Sequence, residues 1–330
     1  MKKGGKKVID RRSLIVGTLF ASIGGPSFGQ SKYPARTVTI VNPFAAGGQL
    51  DPLGRLLCNH FQTALGQVFI MESKPGAGGT IGAQSVARAA PDGHTVLLGT
   101  TSTFVIAPYI FKPQPYDPLT QLAPIINLTQ TGSVLVASEK SGFKSLKELI
   151  DAARQKPGGV TVASAGNGSF PHIFAELFSS LADVKFTHVP YRGGGPAMND
   201  IIGGQVDIFF EVVPSAAPQV QSKRVVPLFV SGDSRSSLLP DVPTAAELGY
   251  PKANLTSWIG LAAPAGTPVS VIEILNKEAN EVLKSAEMKR YLEQFGFSAV
   301  GGSPADMAAR IARESAIYKE LVASRGITVQ

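Results

Sequence analysis

At 330 residues, with 44% hydrophobic and 17% charged side chains, the chain has the composition of a soluble globular protein and enough apolar surface for two lobes of ordinary size. The formal charge of +7 invites a nucleic-acid reading, but residues 1–29 carry a net +5 and leave +2 for the remainder, so no nucleic-acid partner is expected. A single cysteine, Cys58, excludes an intramolecular disulfide; Leu53, Leu56, Leu57 and Phe61 around it fall at helical spacing, as for a buried thiol.

The N-terminus sets basic residues (Lys2, Lys3, Lys6, Lys7, Arg11, Arg12) before an apolar run from Leu14 to Ile23 and then small residues. That order predicts a secretory signal peptide over 1–29, cleaved after Ser27-Phe28-Gly29, and the run is too short to span a bilayer. The pair Arg11-Arg12 leaves both the Sec and the twin-arginine routes open. No later stretch reaches 18 apolar residues, so a soluble, exported and periplasmic protein is expected.

Next comes the β-rich run "RTVTIV", then "NPFAAGGQLDP" and the helix "PLGRLLCNHFQTAL", with Asp51 placed as N-cap and Pro52 at the first helical position. A second strand, "VFIMES", leads into the glycine loop "KPGAGGT", a helix, the turn "PDG" and the strand "TVLLGT". About 115–120 residues later the order recurs. "GVTVASAGNGSFPHIFAELFSSL" is again strand, glycine loop and helix, with Ser169 as cap, followed by "VKFTHVP", "YRGGGP", a helix and "IFFEVV". Strands alternating with helices predict parallel sheets, and two such units predict two α/β lobes. "PQPYDPLTQLAPIINLTQTGSVLVAS" and "SWIGLAAPAGTP" read as crossings between them, with a helical tail returning to the first lobe. The resulting division is 30–125 plus 255–330 for lobe 1 and 126–254 for lobe 2.

A glycine-rich turn at a helix N-terminus gathers free N–H groups and the positive end of the helix dipole, which suits an anion. One such loop can be a mere connector; a matched pair facing across a cleft points to a ligand. "FAAGGQLD" lacks the Gly-Lys-Ser/Thr ending of a phosphate loop and the glycine spacing of a dinucleotide site, and Asp51 would repel a highly charged phosphate. A carboxylate fits better. Asp51 is read first as a helix cap, with a direct ligand role as the alternative.

Catalytic and metal signals are sparse. No G-x-S-x-G elbow occurs, the four histidines (His60, His94, His172, His188) show no zinc spacing, and neither a metal nor a cofactor is expected. A capping Ser169 beside a helix-face His172 explains that pair; an exported hydrolase using them as nucleophile and base is the alternative.

The series "NPFAAGGQLDPLGRLL", "SKPGAGGTIGAQSVARAAPDGHTVLLGT", "PYDP", "ASAGNGS", "HVPYRGGGPAMNDIIGGQVD", "SSLLPDVPTAAELG" and "W-x-GLAAPAGTP" resembles the Bug family, the extracytoplasmic solute receptors of tripartite tricarboxylate transporters. The resemblance runs from Tyr33 to the C-terminus. It implies an α/β, type 2 periplasmic-binding-protein fold: two lobes joined by hinge strands around a cleft, with no catalysis. It also implies a small carboxylate ligand (a di- or tricarboxylate, an acidic amino acid or an aromatic acid) and membrane transporter components as partners. A monomer is expected, and a receptor feeding a signalling system is a further alternative.

Carried over from the family, the first lobe would hold a ligand carboxylate on Phe44, Ala45, Ala46, Gly47 and Gly48, with Asp51 at the family's acidic position. Gly78, Gly79, Ser102 and Thr103 would form more of its wall. The second lobe would contribute Ser164, Ala165, Gly166, Gly168, Ser169, Glu211 and Ser215. Three positions depart from the family pattern: His94 for the usual tyrosine, Phe170-Pro171 for small or polar residues, and Phe104 for a less bulky one. Two rings near the cleft would suit a ligand with an apolar or aromatic body.

Overall fold

The structure, a computed structural model, describes residues 33–46, 50–191 and 193–328, with Met1 and Gly4. The signal-peptide reading over 1–29 and the site residues Gly47 and Gly48 lie outside the described residues.

In chain order the first unit comprises β1 (Val38–Asn42), α1 (Leu50–Leu65), β2 (Phe69–Ser73), α2 (Thr80–Ala87) and β3 (Thr95–Thr100). Two short helices follow, α3 (Ala107–Ile110) and α4 (Pro118–Gln121). β1 lies between β2 and β3, parallel to both, and is covered on both faces, hence its nearly unbroken apolar sequence. α1 buries Leu50, Leu53, Leu57, Cys58 and Phe61 along one stripe. A Cβ at Gly54 would stand 1.7 Å from the Met71 sulfur, so glycine there lets the Met71 side chain pack directly against this helix.

β4 (Leu122–Ser138) is the long strand expected to cross. From Leu122 to Gly132 it pairs antiparallel with β9 (Thr256–Pro264), which in turn pairs with β3. From Ser133 to Ser138 its partners are β7 (Ile208–Val212) and β8 (Val225–Val230) in a second sheet.

That second sheet repeats the first. α5 (Leu146–Gln155) leads to β5 (Val160–Ser164), α6 (Phe170–Ala182), β6 (Phe186–Pro190) and α7 (Gly194–Gly203). β7 and α8 (Val213–Gln221) follow, and β5 lies parallel between β6 and β7. Phe174, Phe178, Phe210, Phe229 and Tyr250 pack ring against ring behind it.

β9 pairs with β3 and β4 in the first sheet, so the crossing expected at "SWIGLAAPAGTP" falls instead in the chain before Thr256, and α9 (Val269–Val282), α10 (Ala286–Phe295), β10 (Ser298–Gly301) and α11 (Pro304–Arg325) follow on that sheet. α9 and α10 place Leu275, Val282, Met288 and Tyr291 in one core with α1, and β10 joins β4 at Asn127–Gln130. The sequence from 270 to 296 reads as helical, but Ser285 divides it: its hydroxyl accepts the Met288 N–H and caps a new helix. Among the described residues no helix is long and apolar enough to cross a membrane.

Candidate ligand-binding site

The C-terminal ends of β1, β3, β5 and β7 face a common space, where chains leaving parallel strands turn into helices. A cavity of about 650 Å³ occupies it, in the range usual for small-molecule sites.

One wall comes from β1 and the turn after it. Asn42, fully buried, donates from Nδ2 to Asp51 Oδ1 (3.0 Å) and accepts the Phe44 N–H on Oδ1 (3.0 Å). This bracket shapes the turn so that Phe44 and Ala45 line the cavity. Asp51 lies in the first turn of α1, one residue inside the helix, and faces a smaller neighbouring pocket together with Ala46. Asp51 is therefore not the cap expected from the sequence; it positions Asn42. Thr103 closes the end of β3: its hydroxyl accepts the Thr100 N–H (2.8 Å) and donates to the Thr100 carbonyl (2.9 Å). Thr100 and Ser102 reach the cavity; Thr103 stands behind them, fully buried. Gly78 and Gly79 also stand back, and a Cβ on Gly79 would be 2.7 Å from Thr103 Cγ2 and 3.1 Å from the Phe44 ring.

The opposite wall is the loop from Ser164 to Ser169. Ser164 is fully buried; its hydroxyl meets His188 Nε2 (2.7 Å) and accepts the Gly166 N–H (3.1 Å). Gly166 and Gly168 take positive φ (125° and 74°), which lets the loop turn back on itself. Ser164, Gly166 and Gly168 thus form the loop's frame, while Ala165 and Ser169 face the cavity. Ser169 caps α6 by accepting the His172 N–H (3.5 Å). His172 accepts the Gly168 N–H on Nδ1 (3.0 Å) and stacks on His188 at 3.9 Å. Burial first, and the neighbouring His188 second, lower its pKa to about 4, so the ring is neutral at physiological pH. Its Nδ1 is already taken, and it offers Ser169 no proton-accepting nitrogen.

Three helix N-termini converge on this wall: α6 through Ser169, Phe170 and Pro171, α7 through Gly194 and Gly195, and α8 through Val212 and Ser215. Glu211, at the end of β7, is the only ionisable side chain on the lining among the described residues. It is 8% exposed, holds the Val212 N–H on Oε1 (2.7 Å), and burial pushes its carboxyl up to about 7.

Of the departures from the family pattern, Phe170 lines the cavity and Phe104 does not. Phe104 is fully buried, stacked on Trp258 at 5.1 Å. His94 accepts the Ala35 N–H at a turn remote from the site (3.3 Å). The lining also includes Asn42, Leu50, Met198, Asn199, Gln219 and Ser257, which sequence reasoning did not single out. Gly194 and Gly195 carried a readable signal: "YRGGGP" is a fourth glycine loop at a helix start. Among the described residues no cluster of three or more His, Cys, Asp or Glu side chains could hold a metal.

Two α/β lobes sharing the crossing strand β4, with helix N-termini gathered on the cavity at their strand ends, define a type 2 solute-binding protein. The model of the tripartite tricarboxylate transporter family receptor matches residues 53–327. BugT of Bordetella pertussis (strain Tohama I) is 34% identical, over 88% of each chain. Among solved structures, the periplasmic binding protein BugD superposes with a TM-score of 0.76 at 32% identity, covering 90% of this chain and 100% of its own. R. palustris Rpa4515, solved with adipate, gives 0.78 at 31% identity over 90% and 99%. MatC of Rhodopseudomonas palustris, solved with malate, gives 0.76 at 33% identity over 88% and 100%. The chain belongs to the tripartite tricarboxylate transporter receptor family. It is a solute receptor, and the hydrolase reading of Ser169 and His172 falls away.

Proposed function

We propose that this receptor captures a small carboxylate with a hydrocarbon body in the cleft and delivers it to the membrane component of a tripartite tricarboxylate transporter. The observation that carries the ligand class is the convergence of the α6, α7 and α8 N-termini on one cavity, an arrangement that favours a small anion. Phe44, Leu50, Phe170 and Met198 give the space between its polar ends an apolar lining, suited to a chain or ring of several carbons. The adipate and malate held by the two R. palustris neighbours support the same class.

In this reading, one carboxylate rests on the turn of Phe44, Ala45, Ala46, Gly47 and Gly48, with Ser102 beside it. The other end meets Ala165, Ser169, Glu211 and Ser215. Asp51, Gly78, Gly79, Thr103, Ser164, Gly166 and Gly168 act from behind, holding the walls in shape. Residues 30–125 with 255–330 form one lobe and 126–254 the other; the partner exchange of β4 near Gly132 supports a hinge there. The receptor is exported to the periplasm by residues 1–29 and works as a monomer.

Calorimetry and thermal shift over adipate, malate, citrate, glutamate and benzoate test the reading. A carboxylate at 100 times its Kd should stabilise the protein by about 2.7 kcal/mol, with adipate or benzoate ahead of malate and citrate. Failure of every acid to bind would overturn the carboxylate class. Citrate or malate binding far more tightly than adipate and benzoate would overturn the apolar body.

A further inference from the structure

The second-lobe end of the cavity holds an unusual combination. α7 opens on Gly193 with no side-chain cap, so the N–H groups of Gly194 and Gly195 have no partner within the helix, and Pro196 contributes none. These free donors favour an anion. Beside them lies a second acid: Glu211 Oε2 sits 2.3 Å from where a Cβ on Gly194 would be, so glycine at 194 leaves the carboxyl room to lie against the start of α7. Oε1 is fastened by the Val212 N–H, while Oε2 has no hydrogen-bond partner among the described residues. An anionic ligand group at the α7 N-terminus therefore meets a buried carboxyl with one free oxygen.

We propose that Glu211 is the residue that sets the protonation state of the complex: the ligand is captured together with one proton from solvent, which goes to Glu211 Oε2 and is donated in a hydrogen bond to the ligand carboxylate. This rests on the carboxylate reading above. Two carboxylates at such close quarters cannot both stay ionised, whereas a protonated Glu211 supplies a donor that complements the α7 amides. Burial already holds the carboxyl near its neutral form, up to about 7. The surroundings contribute little opposing charge. No titratable side chain stands on β4, β5 or α8. α7 carries Asp200, held by the Tyr191 hydroxyl (2.8 Å). α6 carries His172, committed to Gly168, and Glu176, near the far side of that ring at 4.0 Å. The consequence is selectivity: Glu211 favours an oxyanion at the α7 end and disfavours an ammonium there, because an ammonium would require the ionised form.

The test is calorimetry of the full mature protein with adipate, malate, benzoate and glutamate, at pH 8 in two buffers of different ionisation enthalpy. The wild type should take up close to one proton on binding. Above pH 7 its Kd should rise about tenfold per pH unit and below it should level off. In Glu211→Gln, whose side-chain amide is a permanent donor, the uptake should vanish and the Kd should no longer vary with pH. Binding by the wild type without proton uptake overturns the proposal, as does uptake that persists in Glu211→Gln. So does tightest binding of glutamate with loss of its affinity in Glu211→Gln. If none of the acids binds the wild type, the carboxylate reading itself fails and this inference with it. The wild-type proton count decides the matter even should the variant fold poorly.

Discussion

His172 shows how one buried side chain can hold a binding loop in place. Its Nδ1 accepts the Gly168 N–H, its ring lies against His188, and His188 in turn meets Ser164, so two histidines clamp both ends of the 164–169 loop from behind. Burial lowers its pKa from 6.5 to about 4. The unfolded chain therefore takes up a proton at pH values where the folded one does not, and stability is full above pH 6.5 and lost as pH falls toward 4. The loss attributable to this group reaches roughly 3 kcal/mol, which is the pKa difference converted at 1.36 kcal/mol per unit. Glu211 works in the opposite sense, since its raised pKa costs stability as pH climbs from 4.5 to about 7. A variant that keeps Glu211 isolates the histidine. His172→Asn retains an acceptor near the position of Nδ1 and cannot be protonated. Urea unfolding at pH 7 and pH 4.5 should show the variant losing up to roughly 3 kcal/mol less than the wild type across that window. Equal losses would mean that another group titrates.

At the scale of elements, α11 ties the crossing strand β4 to its neighbour β9. Arg310 donates from Nη1 to Gln130 Oε1 on β4 (2.9 Å) and from Nη2 to Thr256 Oγ1 on β9 (2.7 Å). It also donates from Nε to Glu314 (2.8 Å) and lies 5.1 Å over the Trp258 ring, whose own N–H donates to Glu314 (2.7 Å). Both charges are about seven-eighths buried. Arg310→Leu should cost roughly 3 kcal/mol in chemical denaturation, because it strands the Glu314 carboxylate. Glu314→Gln added to it should recover a measurable part; additive losses would show that the pair is not coupled. Nothing in the local sequence announces this clamp, since its partners come from positions 130, 256 and 258. The repeated strand, glycine loop and helix were legible, because strand runs such as Val38–Asn42 and caps such as Ser169 are written in adjacent residues. So was the long crossing strand at 122–138. The break at Ser285 and the short β10 were not, because a capping hydroxyl and a four-residue edge strand barely disturb helical periodicity or composition. For the site, a glycine loop identifies the neighbourhood, but whether a residue lines the cavity or braces it depends on side-chain direction. Phe104 and Phe170 look alike in sequence, yet one stacks on Trp258 in the core and the other lines the cleft.

For the molecule as a whole, the two sheets meet at β4 and at the stretch from Ser231 to Thr256 near the point of exchange. There the Ser231 hydroxyl accepts the Ser133 N–H (2.8 Å), the Ser231 N–H donates to the Ser133 carbonyl (2.7 Å), and the hydroxyl donates to the Leu255 carbonyl. A Cβ on Gly132 would lie 2.2 Å from the Ser231 carbonyl oxygen, so the two crossings touch backbone to backbone. This waist is well bonded but not isolated: one buried apolar cluster runs from Val41, Phe104 and Tyr318 to Phe174, Phe178 and Phe210, so a hinged closure around a ligand would have to shift contacts within it. If one end of a ligand is held at Phe44 and Ala45 and the other at Ser169 and Ser215, binding should draw these two walls of the cavity together. Saturating ligand should then lower the radius of gyration in small-angle scattering. It should also slow amide exchange at 42–46 and 164–169 in parallel, since both loops become ordered by one event. Gly132→Ala should destabilise the protein by about 1–3 kcal/mol through overpacking at the waist, and should weaken the ligand-induced compaction. A ligand that protects only one loop, with no change in radius, would show that binding is confined to a single lobe and that the waist is not a working hinge.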